Sequence, residues 1–153
     1  RLCDVFYLGG TKAGLLFGEA VVITNPSLDQ DFRCLIKQRG GMLAKGFLLG
    51  LNFDVLFTDG LYMELARAAH RQAARLRRGL LKRGVPFLVD SPTNQLFPVF
   101  PNEELPALAR DFSYEVSGLV DETHTCIRLV TSWATTDEAV DAFLAAVRPR
   151  IYT

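Results

Sequence analysis

The segment Leu8-Gly9-Gly10-Thr11-Lys12-Ala13-Gly14-Leu15-Leu16 sets one lysine in a loop whose other members are glycine, threonine and apolar residues. Taken out of bulk water, such a lysine gives up its proton more readily, because burial disfavours the ammonium, and the neutral amine forms Schiff bases with carbonyl compounds. Left at the surface, it is an ordinary lysine in a glycine turn. Gly9, Gly10 and Gly14 would let the main chain approach a flat cofactor or a phosphate. The pattern G-x-x-x-x-G-K-[ST] is absent, which argues against a phosphate loop of the nucleotide-hydrolase type.

A second charge stands among apolar neighbours in Cys126-Ile127-Arg128-Leu129-Val130-Thr131. A guanidinium buried without a partner is costly, so either a ligand carboxylate or phosphate meets Arg128, or strand alternation turns it to solvent or to Glu115 or Glu122. With a carboxylate, arginine makes two parallel hydrogen bonds and so fixes orientation as well as position. The arginines of residues 67–83 lack interleaved aromatics and read as a solvated helix face rather than a nucleic-acid patch. His124-Thr125-Cys126 lacks the recurring Cys or His spacing of a zinc site, so no metal is expected, and Trp133 reads as packing.

The elements that must position these groups follow from periodicity and breakers. Residues 5–8 read as a short buried strand ending in Gly9-Gly10, and residues 19–24 as a second strand closed by Asn25-Pro26-Ser27. A helix starts near Asp29 and breaks at Gly40-Gly41; residues 42–57, rich in Leu and Phe on several faces, read as a second helix buried against other elements or another subunit. A third, residues 61–82, carries Leu65, Ala69, Ala73, Leu76 and Leu80 at helical spacing and stops at Gly84. Beyond it are predicted strands at 87–89, 95–100, 113–116 and 125–132, and helices at 103–111 and 137–147, the last capped by Thr136. The expected organisation is α/β followed by α+β: residues 1–57 as the tail of a larger domain, 58–84 as a connecting helix, and 85–153 as a small C-terminal α+β domain.

Composition bounds the rest. With 153 residues, 49% hydrophobic and 22% charged, the chain can bury a core of its own. No apolar run approaches the roughly 18 to 20 residues of a membrane span. Seventeen basic residues balance seventeen acidic ones, so no global field draws nucleic acid or an anionic membrane. Three widely spaced cysteines disfavour a disulfide framework and fit a reducing compartment. A start at Arg1, with no signal-peptide pattern, predicts a cytoplasmic fragment of a longer protein.

Three motifs, in order, carry a resemblance. Asp4-Val5-Phe6-Tyr7-Leu8-Gly9-Gly10-Thr11-Lys12-Ala13-Gly14 resembles the lysine segment of the low-specificity threonine aldolases, pyridoxal-phosphate enzymes of the aspartate-aminotransferase fold type (fold type I). Lys37-Gln38-Arg39-Gly40-Gly41-Met42-Leu43-Ala44-Lys45 resembles their K-Q-x-G-x-x-x-x-K stretch, and Ile127-Arg128-Leu129-Val130-Thr131-Ser132-Trp133 their R-L-V-T-x-W strand. The resemblance implies a C-terminal portion of such an enzyme, in which Lys12 carries pyridoxal 5'-phosphate and Arg128 holds the amino acid's α-carboxylate. It further implies that Thr11 and Gly10 line the cofactor, and that Lys45 and Lys37 approach its phosphate, from a neighbouring subunit of a homodimer or homotetramer. The aspartate facing the pyridine nitrogen and the ring-stacking residue would lie upstream. The implied reaction cleaves threonine or allo-threonine to glycine and acetaldehyde. Another fold type I enzyme, a β-eliminating lyase or an aminotransferase, is the alternative, and a non-catalytic helical oligomerisation module is a third reading.

Overall fold

A computed structural model describes residues 2–150; residue 1 and residues 151–153, the extremities of the outer predicted segments, lie outside the described residues. The chain divides into two compact units, one running to Glu64 and the other starting at Leu65. No helix among the described residues is long and apolar enough to cross a membrane.

The first unit opens with an antiparallel pair, β1 (Val5–Gly9) and β2 (Glu19–Ile23), in register from Val5 opposite Ile23 to Gly9 opposite Glu19. A loop containing the 3-10 turn Thr11–Ala13 joins them. Two helices follow, α1 (Phe32–Gln38) and α2 (Phe47–Phe57). Both are shorter than predicted: residues 42–43 have no regular structure and 44–46 form a turn rather than a helical start. Asp59 and Gly60, both at positive φ, then break the chain before the next helix begins.

One expectation of burial is corrected here, and another is narrowed to one of its alternatives. In the predicted buried strand, Val5, Phe6 and Tyr7 are exposed, because β1 pairs only with β2 and the described residues lay nothing over its faces. In α2, Phe47, Leu48, Leu51, Val55 and Phe57 are exposed and Leu56 is buried, so the described residues do not cover this helix. Apolar surface on this scale is characteristic of a face that meets other protein.

The second unit is built on α3 (Leu61–Lys82), whose first residues belong to the preceding unit. Ala69, Ala73, Leu76 and Leu80 are its buried stripe, as the spacing predicts. Its end is a Schellman motif: Gly84 sits at φ 74°, its N–H donates to Leu81 O and the Val85 N–H to Leu80 O, both at 3.0 Å. The flanking side chains Leu80 and Val85 are buried together in the core.

A four-stranded antiparallel sheet follows, of β3 (Gln95–Leu96), β4 (Val99–Pro101), β5 (Glu115–Leu119) and β6 (His124–Val130). Strand β6 is central, with β3 and β4 on one side and β5 on the other. A single turn of helix, α4 (Leu105–Leu108), lies between β4 and β5, and α5 (Asp137–Ala146) closes the unit. Thr136 caps α5 as expected, accepting from the Ala139 N–H. The core gathers Leu76 and Leu80 of α3, Leu96, Phe100, Ile127 and Leu129 of the sheet, and Val140, Phe143 and Leu144 of α5.

Prolines explain where this unit departs from its predicted elements. Pro98 has no N–H, so the predicted strand 95–100 splits into β3 and β4. The predicted strand 87–89 reduces to an isolated bridge between Phe87 and Pro98, with Val99 N–H donating to Pro86 O at 2.9 Å. The predicted helix 103–111 carries Pro106, and its flanks close as i to i+3 turns. Strand β5 starts two residues later than predicted and runs on through a bulge between Val116 and Gly118.

Candidate functional site

The lysine loop is held by main-chain bonds. Gly10 O accepts from both Ala13 N and Leu15 N at 2.8 Å, folding residues 10–15 into a tight 3-10 turn that buries Ala13 and Leu15. Gly10 is itself buried, and a Cβ on it would lie 2.7 Å from Leu15 Cβ, so only glycine fits. The Tyr62 hydroxyl donates to Gly9 O at 2.8 Å, tying the end of β1 to the first turn of α3. Further along the loop, Gly18 at φ 91° packs against Leu49 of α2.

On this turn Thr11 and Lys12 are exposed. Of the two settings left open for Lys12, the described residues show the exposed one: the turn buries the alanine and leucine that follow and directs the lysine outward. Among the described residues Lys12 makes no hydrogen bond or ion pair, which leaves a free primary amine on a fixed backbone. Lys37 in the last turn of α1 and Lys45 in the turn before α2 are likewise exposed and unpaired among the described residues. The structure thus brings Gly10, Thr11 and Lys12 onto one turn, while Lys37 and Lys45 stand on separate elements. An unpaired lysine on a glycine-lined turn, with two further unpaired lysines in the same unit, has the side-chain chemistry that an aldehyde cofactor carrying a phosphate requires.

In the second unit, Arg128 occupies the middle of β6 and is half-buried. Its Nη2 donates to a carboxylate oxygen of Glu115, the residue directly opposite on β5, and its Nη1 donates to Gln95 Oε1 on β3 at 3.3 Å. Of the partners that alternation offers, the strand register selects Glu115. The Nε of Arg128 is buried without a hydrogen-bond partner. Glu115 as the occupant, Gln95 and Tyr62 were not identifiable beforehand as one set: their roles come from cross-strand register and a contact across 53 residues.

Elsewhere in this unit two arginines of α3 make surface ion pairs. Arg75 pairs with Asp137 and Asp141 of α5, each at 2.6 Å, and Arg77 pairs with Asp90 at 2.5 Å. A cavity of about 440 Å³ beside Arg77 is lined by His70, Arg71 and Ser91 among others, and none of the predicted site residues borders it. Trp133, expected to be packed, is 49% exposed, because β6 ends at Val130 and the chain turns before reaching it. Among the described residues no cluster of three or more His, Cys, Asp or Glu could hold a metal ion.

No family model matches the chain. It is 30% identical over 152 residues to a low specificity L-threonine aldolase of a Pseudomonas species, covering 95% of this chain and 41% of that protein. It is 34% identical over 73 residues to the enzyme of the same name from Pseudomonas aeruginosa, covering 48% of this chain and 21% of that one. A solved threonine aldolase from Leishmania major superposes with a TM-score of 0.90 at 42% identity, covering 95% of this chain and 42% of that one. The chain is similar to low-specificity threonine aldolases, spanning about two-fifths of the length of the Pseudomonas species and Leishmania major proteins, and its fold is that of the C-terminal part of a fold type I enzyme.

Proposed function

We propose that this chain is the C-terminal part of a pyridoxal-phosphate-dependent aldolase that cleaves L-threonine or L-allo-threonine to glycine and acetaldehyde, in a cytoplasmic homo-oligomer. Residues 1–57 contribute the tail of the larger, cofactor-binding domain, residues 58–84 the connecting helix, and residues 85–153 the small domain. The free amine of Lys12, on a turn that only glycine at position 10 allows, is the observation that carries this reading. Lys12 holds the cofactor covalently, Thr11 and Gly10 line it, and Lys37 and Lys45 balance its phosphate. Bound there, the cofactor supplies the electron sink that makes cleavage of a Cα–Cβ bond possible. Arg128 grips the α-carboxylate and sets the angle at which that bond is presented, a contribution of orientation rather than of proton transfer. The exposed apolar side chains of α2 supply a subunit contact.

The test uses full-length protein saturated with pyridoxal phosphate. Borohydride reduction and peptide mapping should place a pyridoxyl group on Lys12, and L-threonine should yield glycine and acetaldehyde in equal amounts. Pyruvate and ammonia from serine, or nitrogen transfer to a keto acid, with no glycine from threonine, would replace the aldolase by another fold type I activity. An unlabelled Lys12 would overturn the cofactor assignment and leave the oligomerisation module.

A further inference from the structure

We propose that Glu115 is an internal competitor for the carboxylate site at Arg128, so that a ligand must bring its own carboxylate to claim the guanidinium. This rests on the reading of Arg128 as the group that receives the α-carboxylate. Glu115 and Arg128 face each other across β5 and β6, and the carboxylate accepts from Nη2 while Gln95 accepts from Nη1 on the opposite flank. The arginine is therefore held over one face of the sheet from both neighbouring strands, by one charged and one neutral acceptor.

Three features make Glu115 the displaceable partner. Its side chain is 71% exposed against 35% for Arg128, and ion pairs so open to water are weak. It stands on β5, which within the described residues pairs on one side only, with β6, so the carboxylate can swing to water without disturbing a second strand. Its hydrogen bond comes from Nη2 alone, and the buried Nε has no acceptor, so the two-bond grip that guanidinium and carboxylate favour is not made. When an incoming carboxylate takes Nη2, Glu115 exchanges one surface pair for water, and Gln95 keeps the guanidinium oriented. A ligand with an amine but no carboxylate leaves the pair in place. Glu115 thereby lowers affinity for amino acids while keeping the empty site electrically balanced.

The full-length holoenzyme tests this with two ligands, glycine and 2-aminoethanol, which differ in the carboxylate. Glu115→Gln should lower the Kd for glycine about two- to fivefold and leave that for 2-aminoethanol unchanged. Glu115→Ala, of different shape, should shift in the same direction, and the gain in kcat/KM for L-threonine should reside in KM. Weaker glycine binding, unchanged glycine binding, or a parallel shift for both ligands would each overturn the proposal. Arg128→Gln separates the two claims: it should weaken glycine but not 2-aminoethanol. If it does not, the role of Arg128 fails; if it does while Glu115→Gln brings no tighter glycine binding, the competition alone fails.

Discussion

Thr131, one residue beyond β6, donates its buried hydroxyl to the main-chain carbonyl of Ala69 in α3 at 2.8 Å. Its own main chain is clamped as well: its N–H donates to Asn94 O at 3.0 Å, and its carbonyl accepts from Asn94 Nδ2 at 2.7 Å. The threonine of the R-L-V-T-x-W motif is thus a joint between strand, helix and loop, while the arginine three residues earlier faces Glu115. Thr131→Val keeps the shape and removes the hydroxyl, and should cost about 1 kcal/mol in denaturant unfolding. It should leave the discrimination between glycine and 2-aminoethanol untouched. A variant as stable as the parent would show that the hydroxyl contributes nothing beyond its volume.

Gly10 and Gly9 are adjacent, yet they should respond differently to a methyl group. At Gly10 a Cβ would meet Leu15 Cβ at 2.7 Å, an atom fixed to a buried backbone, so Gly10→Ala should destabilise the lysine turn by about 1–3 kcal/mol. At Gly9 the nearest atom is Glu19 Oε1 at 3.5 Å, ordinary contact with the tip of a flexible side chain. In the full-length protein, the borohydride-trapped pyridoxyl yield at subsaturating cofactor should fall for Gly10→Ala and hold for Gly9→Ala. Equal yields would mean that the turn does not govern how Lys12 is presented.

Legibility in the sequence followed the range of the interaction. The buried stripe of α3, its stop at Gly84 and the Thr136 cap were readable, because helical period, left-handed glycine and capping hydroxyl are all decided within about one turn. The break at Pro98 and the shrinkage of the helix around Pro106 were legible in principle, since each proline removes a donor at a known place. Burial of β1 and α2 was not: an apolar run states that something must cover it, and the covering surface is not among the described residues. The partner of Arg128 needed the register of β5 on β6, which a bulge between Val116 and Gly118 shifts. Lys12 was recognisable by type and motif, but its outward direction comes from the turn that buries Ala13 and Leu15.

The hairpin end between β5 and β6 predicts an acid-labile contact. Asp121 accepts from the hydroxyl and the N–H of Thr123, and then from His124, and these bonds hold its carboxyl down at about 2, below the ordinary 3.8. A carboxyl with a lowered folded pKa adds stability above its unfolded pKa and loses it as pH falls through the folded one. The contribution is therefore complete above about pH 4 and disappears on approach to pH 2. Thr123→Val removes the hydroxyl donor, so Asp121 should titrate closer to 3.8 by carboxyl NMR, and the acid-dependent loss of stability should become smaller and end at higher pH. Titration of the parent Asp121 at 3.8 would show that these bonds do not persist in solution.

Gly79 and Leu144 offer a change of sign. A Cβ on Gly79 would lie 2.3 Å from Leu144 Cδ1 and 2.6 Å from Cδ2, so α3 and α5 approach through the missing side chain. Leu144 belongs to the core with Phe143 and Val147 and has little room to turn aside. Alanine inside a helix gains about 1 kcal/mol over glycine, while overpacking a core costs about 1–3 kcal/mol. Gly79→Ala should therefore be destabilising by about 1 kcal/mol in the parent. Against a Leu144→Ala background, itself about 2–5 kcal/mol less stable, the clash is gone and only the helical gain remains. There, Gly79→Ala should stabilise by about 1 kcal/mol. A double-mutant cycle in denaturant reads the coupling directly, and the same sign in both backgrounds would refute the close packing of the two helices at this point.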